Sequence, residues 1–273
     1  MPYQSTAWRL VHTPPASGAW NMAVDEAILQ HVGQGSVSPT LRLYAWTPPC
    51  LSIGYAQPIG DIDQQRLQAQ GWDVVRRPTG GRALLHADEL TYAVMAPKDE
   101  PRLAGSILEG YRRLSAPLLE ALRRLGLDPK AHPYPTSNNS PSPLCFQTPS
   151  EYEITVNGKK VIGSAQARKL NGILQHGAIP LHGDITRITQ CLTFPEEKSR
   201  IRAADHLLSR ATTLTELLGV TLSWEAAAEA LQIAFSQTLN LTFIPDDLTP
   251  SERTTALSLQ NEKYARPDWT ERI

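Results

Sequence analysis

The residues best equipped for chemistry lie in "SPLCFQTPSEYEITVNGKKVIGSAQ", residues 142–166, where Cys145 stands fifteen positions before Lys160. An ammonium beside a thiol lowers the thiol pKa and can stabilise the negative charge that develops on an acyl carbonyl oxygen, so the pair suits acyl transfer through a thioester. The competing reading is a buried, inert thiol, since free cysteine is among the most buried residue types. Lys159 and Lys160 both follow a tight turn, where solvated lysines are common, and consecutive strand side chains point to opposite faces, so only one of the two can face a site. Cys50 and Cys191 lack such company and read as structural. Three cysteines at wide spacing suit neither a disulfide framework nor a Cys-x-x-Cys site, and all three are expected as free thiols.

A second unusual stretch is "RRPTGGRALLH", residues 76–86, a glycine pair flanked by Arg76, Arg77 and Arg82 and followed by His86. Glycines let backbone approach a ligand closely, although a Gly-rich hairpin with solvated arginines fits the same letters. The stretch lacks the Gly-Lys-Ser/Thr ending of a phosphate-binding loop and the spacing of a dinucleotide fingerprint. His86 and His176, each taken alone, are more often structural than catalytic. No Ser-His-Asp order and no metal-ligand spacing is evident, so neither a metal nor a cofactor is expected.

These groups need elements to hold them. "AWNMAVDEAILQHV" carries apolar residues at helical spacing, and "GDIDQQRLQAQG" reads as a short helix ended by Gly71. "LRLYAWTPPCLSIGY", "WDVVRRP" and "ELTYAVMA" read as strands, and "SILEGYRRLSAPLLEALRRLG" as a helix that Pro117 kinks or splits. The proline-, serine- and asparagine-rich residues 129–144 read as a long loop or an internal linker that delivers Cys145 to the next strand. Beyond it, Asn157-Gly158 is the pair that a type I′ hairpin turn prefers, and Asn171-Gly172 is read in the same way, giving three antiparallel strands. The remainder is mainly helical, with Ser223 as an N-cap and Thr249, Pro250 and Glu252 in capping-box order. Without strict βαβ alternation the fold class is α+β, with a mixed or antiparallel sheet flanked by helices. The expected organisation is a single domain over 1–273, with residues from about 195 onward a helical extension packed on it.

Composition sets the boundaries. With 26 Lys+Arg against 27 Asp+Glu the net charge is −1, so no whole-molecule field argues for nucleic acid or an anionic membrane. No apolar run approaches a membrane span and the N-terminus lacks a secretory pattern, which makes the cytoplasm the expected compartment and a monomer the default state.

Taken together and in order, "NMAVDEAIL", "LRLYAWTPPCLSIGYAQ", "RRPTGGRALLHADELTYAV", "CFQTPSEYEITVNGKKVIGSAQ" and "ILQHGAIPL" resemble the biotin/lipoate A/B protein ligase family, most of all its cysteine-dependent octanoyltransferases. The resemblance runs over residues 5 to 195 and more weakly into "EKYARPDWTERI". It implies the family's catalytic-domain fold and transfer of octanoyl from octanoyl-acyl carrier protein to a lysine of an apo lipoyl domain, such as glycine-cleavage H protein. Cys145 matches the acyl-accepting cysteine and Lys160 the lysine of the hairpin. Arg77, Thr79, Gly80, Gly81 and His86 match the loop walling the acyl pocket, and Gly163, Ser164 and Ala165 the small residues along which the chain lies. Arg82 departs from the three glycines usual in ATP-using ligases and should crowd the space of an adenylate; the ligases' separate C-terminal domain also looks absent or reduced. The rival readings are an octanoyl amidotransferase between lipoyl domains, an ATP-dependent lipoate ligase, and a non-catalytic acyl-binding protein. Because carrier proteins are acidic, a local arginine surface is also expected, with Arg112, Arg113, Arg123 and Arg124 as candidates.

Overall fold

The structure is a computed structural model that describes residues 3–133 and 152–273. In chain order the elements are β1 (Thr6–His12), α1 (Gly18–Gly33), β2 (Thr40–Tyr44), β3 (Cys50–Ile53), α2 (Gln64–Ala69), β4 (Asp73–Arg76), β5 (Leu84–His86), β6 (Glu89–Pro97), α3 (Ile107–Arg124) and β7 (Pro129–Pro133). There follow β8 (Tyr152–Val156), β9 (Lys159–Lys169), β10 (Gly172–Pro180), α4 (Glu197–Arg210), α5 (Leu214–Leu218), α6 (Trp224–Leu239), β11 (Leu241–Asp246), α7 (Pro250–Leu259) and α8 (Pro267–Thr270). Eight strands form one mixed sheet in the order β11-β1-β2-β6-β10-β9-β8-β7, and β4-β3-β5 form a second, smaller sheet. This is the α+β arrangement expected.

The period-2 alternation of a strand explains why the large sheet is covered on both sides. Along β6, Leu90, Tyr92, Val94 and Ala96 face a core shared with α3 and α6, while Ala93 and Met95 face a second core under α1 and α7. Full burial of the Leu, Val and Met side chains among these contributes about 1.5–3 kcal/mol each. α1 is buried along most of its length, and its polar residues Asn21, Asp25 and Glu26 are carried inside with it. A third core, with Leu51, Ile53, Ile62 and Leu207, ties the small sheet to α2 and α4.

The β8–β9–β10 meander is present, and φ is +50° at Asn157 and +78° at Gly158, as a type I′ turn requires. The second turn differs by one residue from the expectation. Its positive-φ pair is Leu170-Asn171, and Gly172 already lies in β10 opposite Lys169. Gly172 serves packing instead: a Cβ there would sit 2.7 Å from Leu29 Cδ1. α3 runs unbroken through Pro117, so the proline does not split it. The C-terminal region is not helical throughout, because β11 joins the large sheet parallel to β1. Ser223 caps α6, and both arms of the capping box at Thr249 and Glu252 are formed. Among the described residues no helix is long and apolar enough to cross a membrane.

Candidate active site

Between the small sheet and the β6–β10–β9 part of the large one lies a cavity of about 110 Å³. An apolar cavity of about 150 Å³ holds a benzene ring, so the space is of the right order for part of an alkyl chain. Its floor is made of small residues, Gly163 and Ala165 on β9 and Gly177 and Ala178 on β10. The two strands run close together there: a Cβ on Gly177 would stand 2.6 Å from the Gly163 carbonyl oxygen and 2.6 Å from a Tyr92 ring carbon. Met22, Tyr44, Trp46 and Leu84 supply the apolar walls.

The glycine loop closes one side. Arg77 is buried and folds back on its own loop, donating from Nη2 to the carbonyls of Gly80 (2.9 Å) and Arg82 (2.7 Å) and from Nη1 to the Ser52 carbonyl (3.0 Å) and Oγ (3.1 Å). This contact fixes why residue 81 is glycine: its φ is +95°, and a Cβ there would meet Arg77 Nη2 at 2.8 Å. Arg76 points the other way, donating to the carbonyls of Gly54 (2.9 Å), Gln57 (2.6 Å) and Thr270 (2.7 Å), which ties the C-terminal segment to the loop. The reading of these two arginines as solvated is therefore overturned: the six carbonyls named need donors, and a guanidinium supplies several at fixed angles. Arg82 alone of the three is partly exposed, 3.9 Å from Asp61, and it lines the cavity mouth.

Two hydrogen-bonded chains form the polar wall. In the first, Asp25 accepts from Arg42 (2.7 Å) and from the Tyr44 hydroxyl (2.9 Å), and it meets His176 Nδ1 at 3.2 Å. His176 Nε2 lies 2.7 Å from Thr79 Oγ1. Burial opposes ionisation of Asp25, yet the Arg42 guanidinium and the His176 contacts outweigh it and hold the carboxyl below its usual range. Burial also lowers the His176 pKa, against the pull of Asp25. A neutral ring then donates from Nδ1 to Asp25 and accepts the Thr79 hydroxyl proton at Nε2. In the second chain Ser52 Oγ is 2.8 Å from His86 Nε2, and His86 Nδ1 is 2.7 Å from Glu89 Oε1. Thr91 donates to the same Glu89 oxygen, Trp46 Nε1 donates to Thr91 (2.7 Å), and the Trp46 ring stacks on His86 with centroids 4.0 Å apart.

Of the residues singled out by sequence, Arg77, Gly81, Arg82, His86, Gly163, Ser164 and Ala165 line the cavity. Thr79 stands behind His176, and Gly80 lends its carbonyl to Arg77. Lys160 lies on β9 outside the cavity lining, 2% exposed, with its Nζ 2.9 Å from Glu153 Oε1 on β8. Lys159 is on the outer side, partly exposed. Strand pairing slips by one residue between Ile154 and Thr155, leaving Val161 as an extra residue on β9 before the cavity-lining run begins. Cys145 lies outside the described residues. Cys50 and Cys191 are buried, and burial pushes the Cys50 thiol far up and that of Cys191 to about 12, so neither is a nucleophile.

The α3 arginines lie at the surface, with Arg112 exposed and the Arg123 side chain 53% exposed. Arg113 pairs with Glu109 and donates to the Ala104 carbonyl, while Arg123 and Arg124 share Glu120 at 3.9 and 3.5 Å. Sequence reasoning missed Glu153, Asp25, Ser52 and Glu89. None carries a local signal, and Asp25 and His176 stand 151 positions apart.

A mixed sheet whose small-residue strands floor an apolar cavity, closed by an arginine-tied glycine loop, agrees with what the family model finds. Residues 17–236 match the lipoyl protein ligase A/B catalytic domain, and the chain belongs to that family. Within it, the chain is 44% identical over 271 residues to the octanoyltransferase LipM of Kyrpidia tusciae, covering 97% of this chain and 98% of that one. It is 41% identical to octanoyltransferase LipM of Brevibacillus brevis, covering 96% and 98%. Among solved structures it resembles that of an archaeal lipoylation system from Thermoplasma acidophilum, a bi-partite lipoate protein ligase and its E2 lipoyl domain. There the TM-score is 0.81 at 27% identity, over 97% of this chain and 96% of that one.

Proposed function

We infer that this protein is an octanoyltransferase of the LipM type, which takes octanoyl from octanoyl-acyl carrier protein onto Cys145 as a thioester and passes it to a lysine of an apo lipoyl domain, such as that of glycine-cleavage H protein. The observation that carries this reading is the near-full-length 44% identity to a protein of that activity. The apolar cavity with its small-residue floor supports it, since it offers an alkyl chain a place beside β9.

The chemistry runs without ATP. A thioester donor is already activated, so thiol exchange at Cys145 keeps the acyl group at the same energy, and the acceptor amine attacks in its neutral form. Lys160 sits on the hairpin that follows Cys145, and its buried ammonium is a fixed positive charge for a thiolate or a developing oxyanion. Glu153 holds that ammonium in place. Arg82 lines the same cavity, and an arginine in place of the ligases' third glycine should crowd an adenylate there.

The test is transfer to an apo lipoyl domain under two conditions. Octanoyl-acyl carrier protein without ATP is expected to support it, and free octanoate with ATP is not. The reverse result would make the chain a ligase.

A further inference from the structure

Transfer to a lysine releases a proton that the acyl cavity must dispose of. When a lysine ammonium displaces the Cys145 thioester, the carbon–sulfur bond breaks and a carbon–nitrogen bond forms. Of the two protons the nitrogen loses, one stays with the departing thiolate and the other must leave. At pH 7 only about 1 in 2,500 lysines is neutral, so something near the cavity has to take that proton during the reaction.

The second polar chain is built for this. Ser52 and His86 line the cavity. Arg77 Nη1 donates to Ser52 Oγ at 3.1 Å, and the same oxygen lies 2.8 Å from His86 Nε2, to which the serine hydroxyl donates when the ring carries its proton on Nδ1. In that tautomer Nδ1–H faces Glu89 Oε1 at 2.7 Å. Glu89 is not at the cavity: it borders a different groove of about 300 Å³, lined also by Asp88, His182 and Trp224. Trp46 is the partition, lining both spaces and stacking flat on His86. A hydroxyl, an imidazole and a carboxylate in unbroken contact thus connect the two sides of one wall.

We propose that Ser52, His86 and Glu89 form a proton exit, carrying the proton of the acceptor lysine from the acyl cavity to the groove behind it. This rests on the thioester reading above. The ammonium gives a proton to Ser52 Oγ as the serine proton passes to His86 Nε2; the Nδ1 proton passes to Glu89, which releases it to water in the groove. After product leaves, Nε2 returns its proton through Ser52 to the reopened cavity and Nδ1 regains one from the groove, so over a full cycle the released proton leaves by the reopened mouth and the groove takes up a proton only while that mouth is blocked. The route stays open while an acyl chain and a docked protein block the cavity mouth.

The test uses acyl-enzyme formed from octanoyl-acyl carrier protein and checked by intact mass, then split between two nucleophiles, an apo lipoyl domain and hydroxylamine. Hydroxylamine is already neutral at pH 7 and needs no exit. In Ser52→Ala and Glu89→Gln the rate with the lipoyl domain, divided by the rate with hydroxylamine, is expected to fall at least about tenfold, the lower reach of general acid–base catalysis being about 100-fold. Ser52→Thr, which keeps the hydroxyl, restores the ratio. An unchanged ratio in either variant, whether both rates fall together or neither does, overturns the proton exit. Absence of any acyl-enzyme in the wild type would instead overturn the thioester reading, and the exit with it.

Discussion

Replacing Glu153 with alanine removes the carboxylate 2.9 Å from the Lys160 ammonium, in a pair whose side chains are 5% and 2% exposed. Breaking a buried ion pair from one side costs about 3–5 kcal/mol, because the remaining charge is left in a poorly solvating interior. For a chain of this size each kcal/mol lowers Tm by roughly 2–4 °C, so the variant is expected to melt roughly 6–20 °C below the wild type. Urea denaturation at pH 7 of Glu153→Ala, Lys160→Met and the double variant closes the cycle. The double variant should recover a large part of the loss, since it removes both members of the pair together. A cost for Glu153→Ala below about 1 kcal/mol, the range of solvated surface pairs, would refute the argument, as would a double variant no more stable than the single one.

Lys160→Ala should lose far more transfer activity than Lys159→Ala, because only residue 160 points inward; equal losses in a steady-state assay would contradict that assignment. Gly177→Ala forces a methyl against the Gly163 carbonyl and the Tyr92 ring, and should cost about 1–3 kcal/mol in urea denaturation, whereas a neutral effect would mean that β9 and β10 can part there. Stability should fall with pH as the solution passes below about 6.5, since burial keeps His176 neutral in the folded state while the unfolded chain takes up the proton. Asp25, whose carboxyl is held below its usual range, adds a further loss only when the pH falls past the ordinary carboxylate pKa. His176→Gln should flatten the slope between pH 7 and 5 in thermal melts, and an unaltered slope would assign it to other groups.

Local chemistry made much of the fold readable. Asn157-Gly158 marked its hairpin because few other pairs accept two positive φ values, and Ser223 and Thr249 marked their helix starts through donors that need an acceptor. The second turn was misplaced by one residue because Gly172 is required by Leu29 across the core, a contact that no local pattern carries. β11 was missed because it borrows its partner from the other end of the chain. The cavity followed the same division. Gly81, His86 and Gly163 stood out by residue type and neighbours, whereas Ser52, Glu89 and Asp25 gained meaning only once folding brought them to a histidine. Glu153 shows the point most simply. Beside Lys160 it is the counter-charge a buried ammonium needs, yet in sequence it is one polar residue of an alternating strand.

The most direct measurement is the intact mass of the wild type and of Cys145→Ala after mixing with octanoyl-acyl carrier protein without ATP. The account predicts one octanoyl adduct on the wild type, removed by hydroxylamine, and none on the variant. A Cys145→Ala protein that is acylated and transfers at the wild-type rate would contradict it.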